Sequence, residues 1–114
     1  MSDLEAAFQD MRSRERLEVT CDVHVSDQHT GRELGRLVNY NEQGIMVTGV
    51  TPIEENSVFQ LKLVFGDPTA PETIELGVES LWSHSNSDQT WFWTGFYIID
   101  ISPESMDRLK ILVG

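Results

Sequence analysis

The sequence predicts an all-β domain: a six-stranded antiparallel barrel with a short helix at each end. Three observations carry this. Apolar residues recur with period two along most of the chain, turn-forming residues separate those runs, and helical spacing is confined to the two ends. A parallel sheet would need helical crossovers between its strands, and the spacing between these runs is not helical.

The first element reads as a helix. Ser2 followed by Glu5 has the capping-box pattern, and Leu4, Phe8 and Met11 fall on one stripe. After the arginines the period changes to two: Leu17, Val19, Cys21, Val23 and Val25 alternate with Glu18, Thr20, Asp22 and His24. This is a strand with one buried face, which makes Cys21 a core thiol and leaves His24 on the polar face. Turn residues 27–31 lead into a second strand over 33–38, and 39–44 reads as a tight polar loop. A third strand follows over 45–50 and is broken by Pro52 to Asn56.

Phe59, Leu61, Leu63 and Phe65 define the fourth strand, and 66–72, with two prolines, reads as a loop. Ile74, Leu76 and Val78 open a fifth strand that runs to Trp82, with 83–89 as a hairpin tip. Residues 91–101 are apolar on both faces, as in a central strand, and Gly95 permits a bend or a close backbone approach. Trp91 and Trp93 share one face and Phe92 takes the other, so tryptophan is expected at the surface as a candidate partner patch. Ser102 and Pro103 supply an N-cap and a first-turn proline for a closing helix, with Met106, Leu109 and Leu112 or Val113 facing inward.

Composition narrows the function. At 114 residues the chain fits one domain, and its eight Lys plus Arg against nineteen Asp plus Glu give a formal charge of −11. That balance argues against DNA, RNA or an anionic membrane as partner, each of which needs a broad basic face. A single cysteine permits no intrachain disulfide, and no run approaches the roughly 18 to 20 apolar residues of a membrane span. A cytoplasmic protein, monomeric or weakly dimeric, is the expectation. His24, His29 and His84 have no metal-ligand spacing, Cys21 is expected to be buried, and Glu54–Glu55 sits in a turn without a partner, so neither an enzyme nor a metal or cofactor site is expected.

Against this acidic background, Arg12, Arg14 and Arg16 crowd into five residues. Clustered guanidiniums on an acidic body suit one small anionic ligand better than a polyanion track. Arg12 and Arg16 are four apart, a spacing that puts both on one face in either helical or extended backbone, whereas Arg14 joins them only if the backbone is extended. Guanidinium planes stack on bases while their N–H forks bind phosphate oxygens or guanine O6 and N7, so the pattern suits a nucleotide. Alone, such a run at a helix end is an ordinary solvated surface. The second element is Asn39-Tyr40-Asn41-Glu42-Gln43-Gly44, with carboxamides that donate and accept and a glycine that permits positive φ or close ligand approach.

Together the two elements resemble the PilZ domain, a bacterial receptor for the second messenger cyclic di-GMP, whose signature is Arg-x-x-x-Arg followed one hairpin later by Asp/Asn-x-Ser-x-x-Gly. Arg12 and Arg16 match the first part, and Asn39 and Gly44 match the ends of the second; Asn41 stands where the pattern has serine. The Pro52 turn, Trp82, Gly95-Phe96 and the Ser102-Pro103-Glu104 helix also follow the family's layout, from about Met11 to the C-terminus.

The resemblance implies a PilZ-like barrel over 17–114, preceded by an N-terminal helix and arginine-bearing switch segment over 1–16. It implies that Arg12 and Arg16 grip guanine and phosphate, that Asn39 bonds a guanine edge and that Gly44 keeps the turn tight. Asn41 would donate its amide N–H where serine offers a hydroxyl, and Arg14 is a further candidate. Arg14, Arg32 and Arg36 would offset Glu15 and Glu42. Met11, where an arginine would stack on a second ligand molecule, implies one cyclic di-GMP per domain. The expected function is a stand-alone cyclic di-GMP receptor that relays binding through a conformational change to an effector protein; the alternative is a PilZ-like adaptor that acts by protein contact without nucleotide.

Overall fold

The computed structural model describes residues 17–18, 22–41 and 44–112, in which the alternating runs form seven strands and one helix. These are β1 (Leu17–Glu18), β2 (His24–Asp27), β3 (Glu33–Asn41), β4 (Gly44–Gly49), β5 (Val58–Asp67), β6 (Ala70–Ser85), β7 (Phe92–Asp100) and α1 (Pro103–Leu112). The expected N-terminal helix, with Leu4, Phe8 and Met11, and Cys21 lie outside the described residues.

Every strand pairing is antiparallel, and the order β1-β3-β2-β5-β6-β7-β4 closes on itself because β3 also pairs with β4. The result is the expected six-stranded barrel, β2 to β7, closed at its C-terminal end by one helix. β1 is a short addition along β3, so the run expected as one strand over 17–25 enters the sheet as two ladder segments.

Alternation sets the core. Val25, Leu37, Tyr40, Ile45, Val47, Leu61, Leu63, Ile74, Leu76, Val78 and Phe96 point inward, and Phe59 meets Phe96 edge to face with ring centroids 6.0 Å apart. α1 plugs one end with Leu109 and Leu112. Its start is built as the sequence implies: the Ser105 N–H donates to Ser102 Oγ at 3.1 Å, and Pro103 takes the first helical position. Arg108 ties the helix to the barrel by donating to the Thr73 carbonyl at 2.7 Å and lying 5.8 Å from the Phe65 ring.

Three connections are tighter than the turn residues imply. β3 continues to Asn41 and β4 starts at Gly44, so 39–41 is strand and not loop: Tyr40 is 2 % exposed in the core, and its burial carries the ladder through the polar stretch. The expected loop over 66–72 is a hairpin whose strands run to Asp67 and Ala70. There Asp67 accepts from the Thr69 N–H at 2.9 Å and its hydroxyl at 2.8 Å, and these two bonds hold its carboxyl below the usual aspartate range. The β6–β7 tip starts at Asn86, not residue 83, and Asn86 Oδ1 accepts from the N–H groups of Thr90 and Trp91.

The loop from Val50 to Ser57 is pinned by Ser80, whose side chain is buried. Its hydroxyl donates to the Glu54 carbonyl at 2.6 Å and accepts from the Ser57 N–H at 3.0 Å. Ser80→Ala removes both bonds and is expected to cost about 1–2 kcal/mol, because the Glu54 carbonyl and the Ser57 N–H lose a partly buried partner. Urea unfolding with an unchanged m-value checks this.

Candidate ligand-binding site

The signature residues that the structure describes meet at one end of the β3–β4 ribbon. Asn39 pairs with Met46, Tyr40 with Ile45 and Asn41 with Gly44. A register shift between Leu37 and Asn39 absorbs Val38, so that Leu37 and Tyr40 both enter the core while Asn39 turns to the outer face. β1 lies on the other side: Leu17 pairs with Tyr40 and Glu18 with Asn39. The residue covalently next to Arg16 is therefore in register with the heart of the second motif. Arg12, Arg14 and Arg16 themselves, with Met11, Glu15, Glu42 and Gln43, lie outside the described residues.

Two cross-strand rows make up the outer face here. The first runs Asn39, Met46, Gly95, Trp82 across β3, β4, β7 and β6. The second runs His24, Arg36, Thr48, Trp93, His84. Gly95 is required by the first row, since any Cβ there would collide with the Trp82 indole. The expected close approach at this glycine is thus one of ring on backbone. Trp82 and His84 lie side by side with centroids 5.4 Å apart, and the Trp91 indole N–H donates to Thr48 Oγ1, which fixes that ring over the second row.

Asn39 and Met46 are on the outside of the barrel and yet almost fully buried, at 3 % and 0 % exposure. Among the described residues, Asn39 Oδ1 has no hydrogen-bond partner. Buried amide oxygens are nearly always satisfied, and leaving one unpaired costs about 1–3 kcal/mol. An amide on the outer face of the barrel thus carries a buried oxygen that the described residues leave without a donor.

Gly44 is needed for a reason other than the one its place in a turn implies. Its φ is not positive; instead a Cβ there would run into the Phe96 carbonyl oxygen of β7. The glycine lets β4 lie flush on its neighbour at the point where the hairpin turns.

The other arginines divide. Arg36 belongs to the second row, where it lies 3.7 Å from Asp22 in a largely exposed pair, and it helps line a surface groove of about 480 Å³ with Thr48 and Trp91. Arg32 lies before β3 and lines a separate cavity of about 510 Å³ with Asp27 and Glu54. The expected part of Arg32 and Arg36 in offsetting Glu15 and Glu42 turns on residues outside the described ones. His24 is exposed as expected and bonds Glu33 at 2.8 Å. Among the described residues no group of His, Cys, Asp and Glu is placed to hold a metal, and no helix is long and apolar enough to cross a membrane.

The sequence matches no family model and no curated protein. The fold does have a counterpart among solved structures. It superposes on the inhibitor of motility MotI/DgrA of Bacillus subtilis with a TM-score of 0.57 at 13 % identity, over 86 % of this chain. The fold is PilZ-like. The match takes in 46 % of the MotI/DgrA chain, so the present chain corresponds to less than half of that protein. Sequence reasoning had missed the outer-face partners Met46 and Thr48; the alternation of Met46 and Thr48 against Ile45 and Val47 was the available signal.

Proposed function

We propose that this chain is a PilZ-like receptor that binds cyclic di-GMP and passes the signal to a protein partner, without catalysis. The observation that carries the reading is Asn39 Oδ1, a buried acceptor without a donor among the described residues, at the position where the signature has a contact to a guanine edge. Guanine N1–H and N2–H are donors of the required kind. Arg12 and Arg16 grip the guanine and phosphate groups from the segment that leads into β1, with Arg14 assisting, and β1 is in register with Asn39. Asn41 contributes an amide N–H, and Gly44 keeps the end of the hairpin seated on β7. Contacts made only when the arginine segment is closed over the ligand shift the population toward that form, which alters the surface shown to a partner. The kinship of fold with an inhibitor of motility is in keeping with an output through a partner protein.

Isothermal titration with cyclic di-GMP tests this. The wild-type protein is expected to bind one ligand per protomer, and Arg16→Ala to lose roughly tenfold to a hundredfold in affinity, the worth of a charge-assisted contact of about 1.5–3 kcal/mol. Equal binding by Arg16→Ala would remove the arginine from the site. No heat at high-micromolar ligand would leave the adaptor reading, in which Asn41 in place of serine marks a barrel that acts by protein contact alone.

A further inference from the structure

The β6–β7 ladder contains two register shifts, one between Gly77 and Val78 and one between Ser80 and Trp82. Each leaves one residue without a cross-strand partner: Ile99 on β7 at the first, Leu81 on β6 at the second. Bulges re-aim side chains, and here both extra residues are large, apolar and half exposed, at 48 % and 50 %. Tyr97, 45 % exposed, lies between them on β7, and Val58, 65 % exposed, lies two strands away in the same row, Val58–Glu79–Tyr97. Scattered apolar residues on a surface are ordinary, whereas a set gathered on one sheet face marks an interaction site.

We propose that this outer face of β5, β6 and β7 is a docking surface for a partner protein that presents a basic segment with an apolar side. Charge selects the partner. Glu79 stands in the middle of the row and Asp100 pairs with Gly77 beside Ile99, on a chain of net charge −11. A second copy of the face would set these carboxylates against their own kind, and an anionic membrane or nucleic acid would be repelled in the same way. A cationic segment matches both the acids and the apolar residues between them. The face also begins next to the candidate site, since Tyr97 pairs with Gly44. This rests on the reading that the output is a protein contact, and it does not require nucleotide to be bound.

The test uses a fluorescein-labelled amphipathic Leu/Lys peptide, with a Ser/Lys peptide of equal charge as control, read by fluorescence anisotropy at physiological ionic strength. The Leu/Lys peptide is expected to bind and the control to bind at least tenfold more weakly. Leu81→Ser/Ile99→Ser is expected to lose roughly tenfold, the scale of an interface anchor, and Glu79→Lys to lose affinity without any change to the apolar residues. Leu81 and Ile99 are half exposed and Glu79 is partly exposed, and circular dichroism and thermal unfolding of each variant are expected to match the wild type. Asn39→Ala should bind the peptide as the wild type does. Equal binding of the two peptides, or undiminished binding by the double variant, would overturn the proposal. A wild-type dimer in sedimentation that the double variant abolishes would do so as well, by assigning the face to a second copy. Peptide binding without any cyclic di-GMP heat would sink the nucleotide reading and leave the docking surface standing.

Discussion

Asn39→Leu is expected to make the ligand-free protein more stable and to remove cyclic di-GMP binding. Leucine has nearly the shape of asparagine and carries no acceptor, so it fills the same buried place beside Met46 without an unpaired oxygen. Relief of that oxygen is worth about 1 kcal/mol or more, which in a domain of this size raises Tm by roughly 4–8 °C. Affinity should fall at least tenfold, because the guanine edge then faces a hydrocarbon with its own donors unpaired. Thermal unfolding and titration calorimetry on one sample read both effects. A leucine variant that is no more stable would mean that Oδ1 is satisfied in the free protein. Unchanged affinity would take Asn39 out of the site. The opposed signs are what separates a group kept for a ligand from one kept for the fold.

Gly44→Ala is expected to lose about 3 kcal/mol or more of stability. The clash is with the Phe96 carbonyl, which is backbone and fixed by the β4–β7 ladder, so relief requires two strands to part where Ile45 and Phe96 are both in the core. Urea unfolding measures the loss. An alanine variant that unfolds like the wild type but fails to bind cyclic di-GMP would show that this glycine serves ligand approach and not strand packing.

Strands with one wet face were legible from the sequence. The run from Phe59 to Phe65 and the Ile74–Val78 run alternate because their outer sides meet solvent, and Ser102 with Pro103 announces α1 by local chemistry alone. The stretch 39–41 was not legible as strand. Two asparagines around one tyrosine have turn composition, and only the burial of Tyr40 against distant elements makes the backbone continue. The motif spacing located Asn39 and Gly44 correctly at one end of a hairpin. It carried no sign that Asn39 would be buried on the outside of the barrel, or that Gly44 answers to a carbonyl on β7, since Gly95 in the Asn39–Met46 row and the Phe96 carbonyl beside Gly44 both come from a strand far along the chain. The bulges at Leu81 and Ile99 were likewise invisible, as period-two patterns are written without regard to which residue a ladder skips.

Tyr40 reaches inward from the residue after Asn39 and donates its hydroxyl to the Met106 sulfur of α1 at 3.3 Å. Adjacent residues on one strand thus lie on the outer face of the barrel wall and against the helix at its end. A strand cannot roll at Asn39 without swinging Tyr40, and the sulfur it holds is a soft, polarizable contact that yields instead of breaking. The helix is therefore geared to the outer face through the barrel wall, with Tyr40 as the tooth.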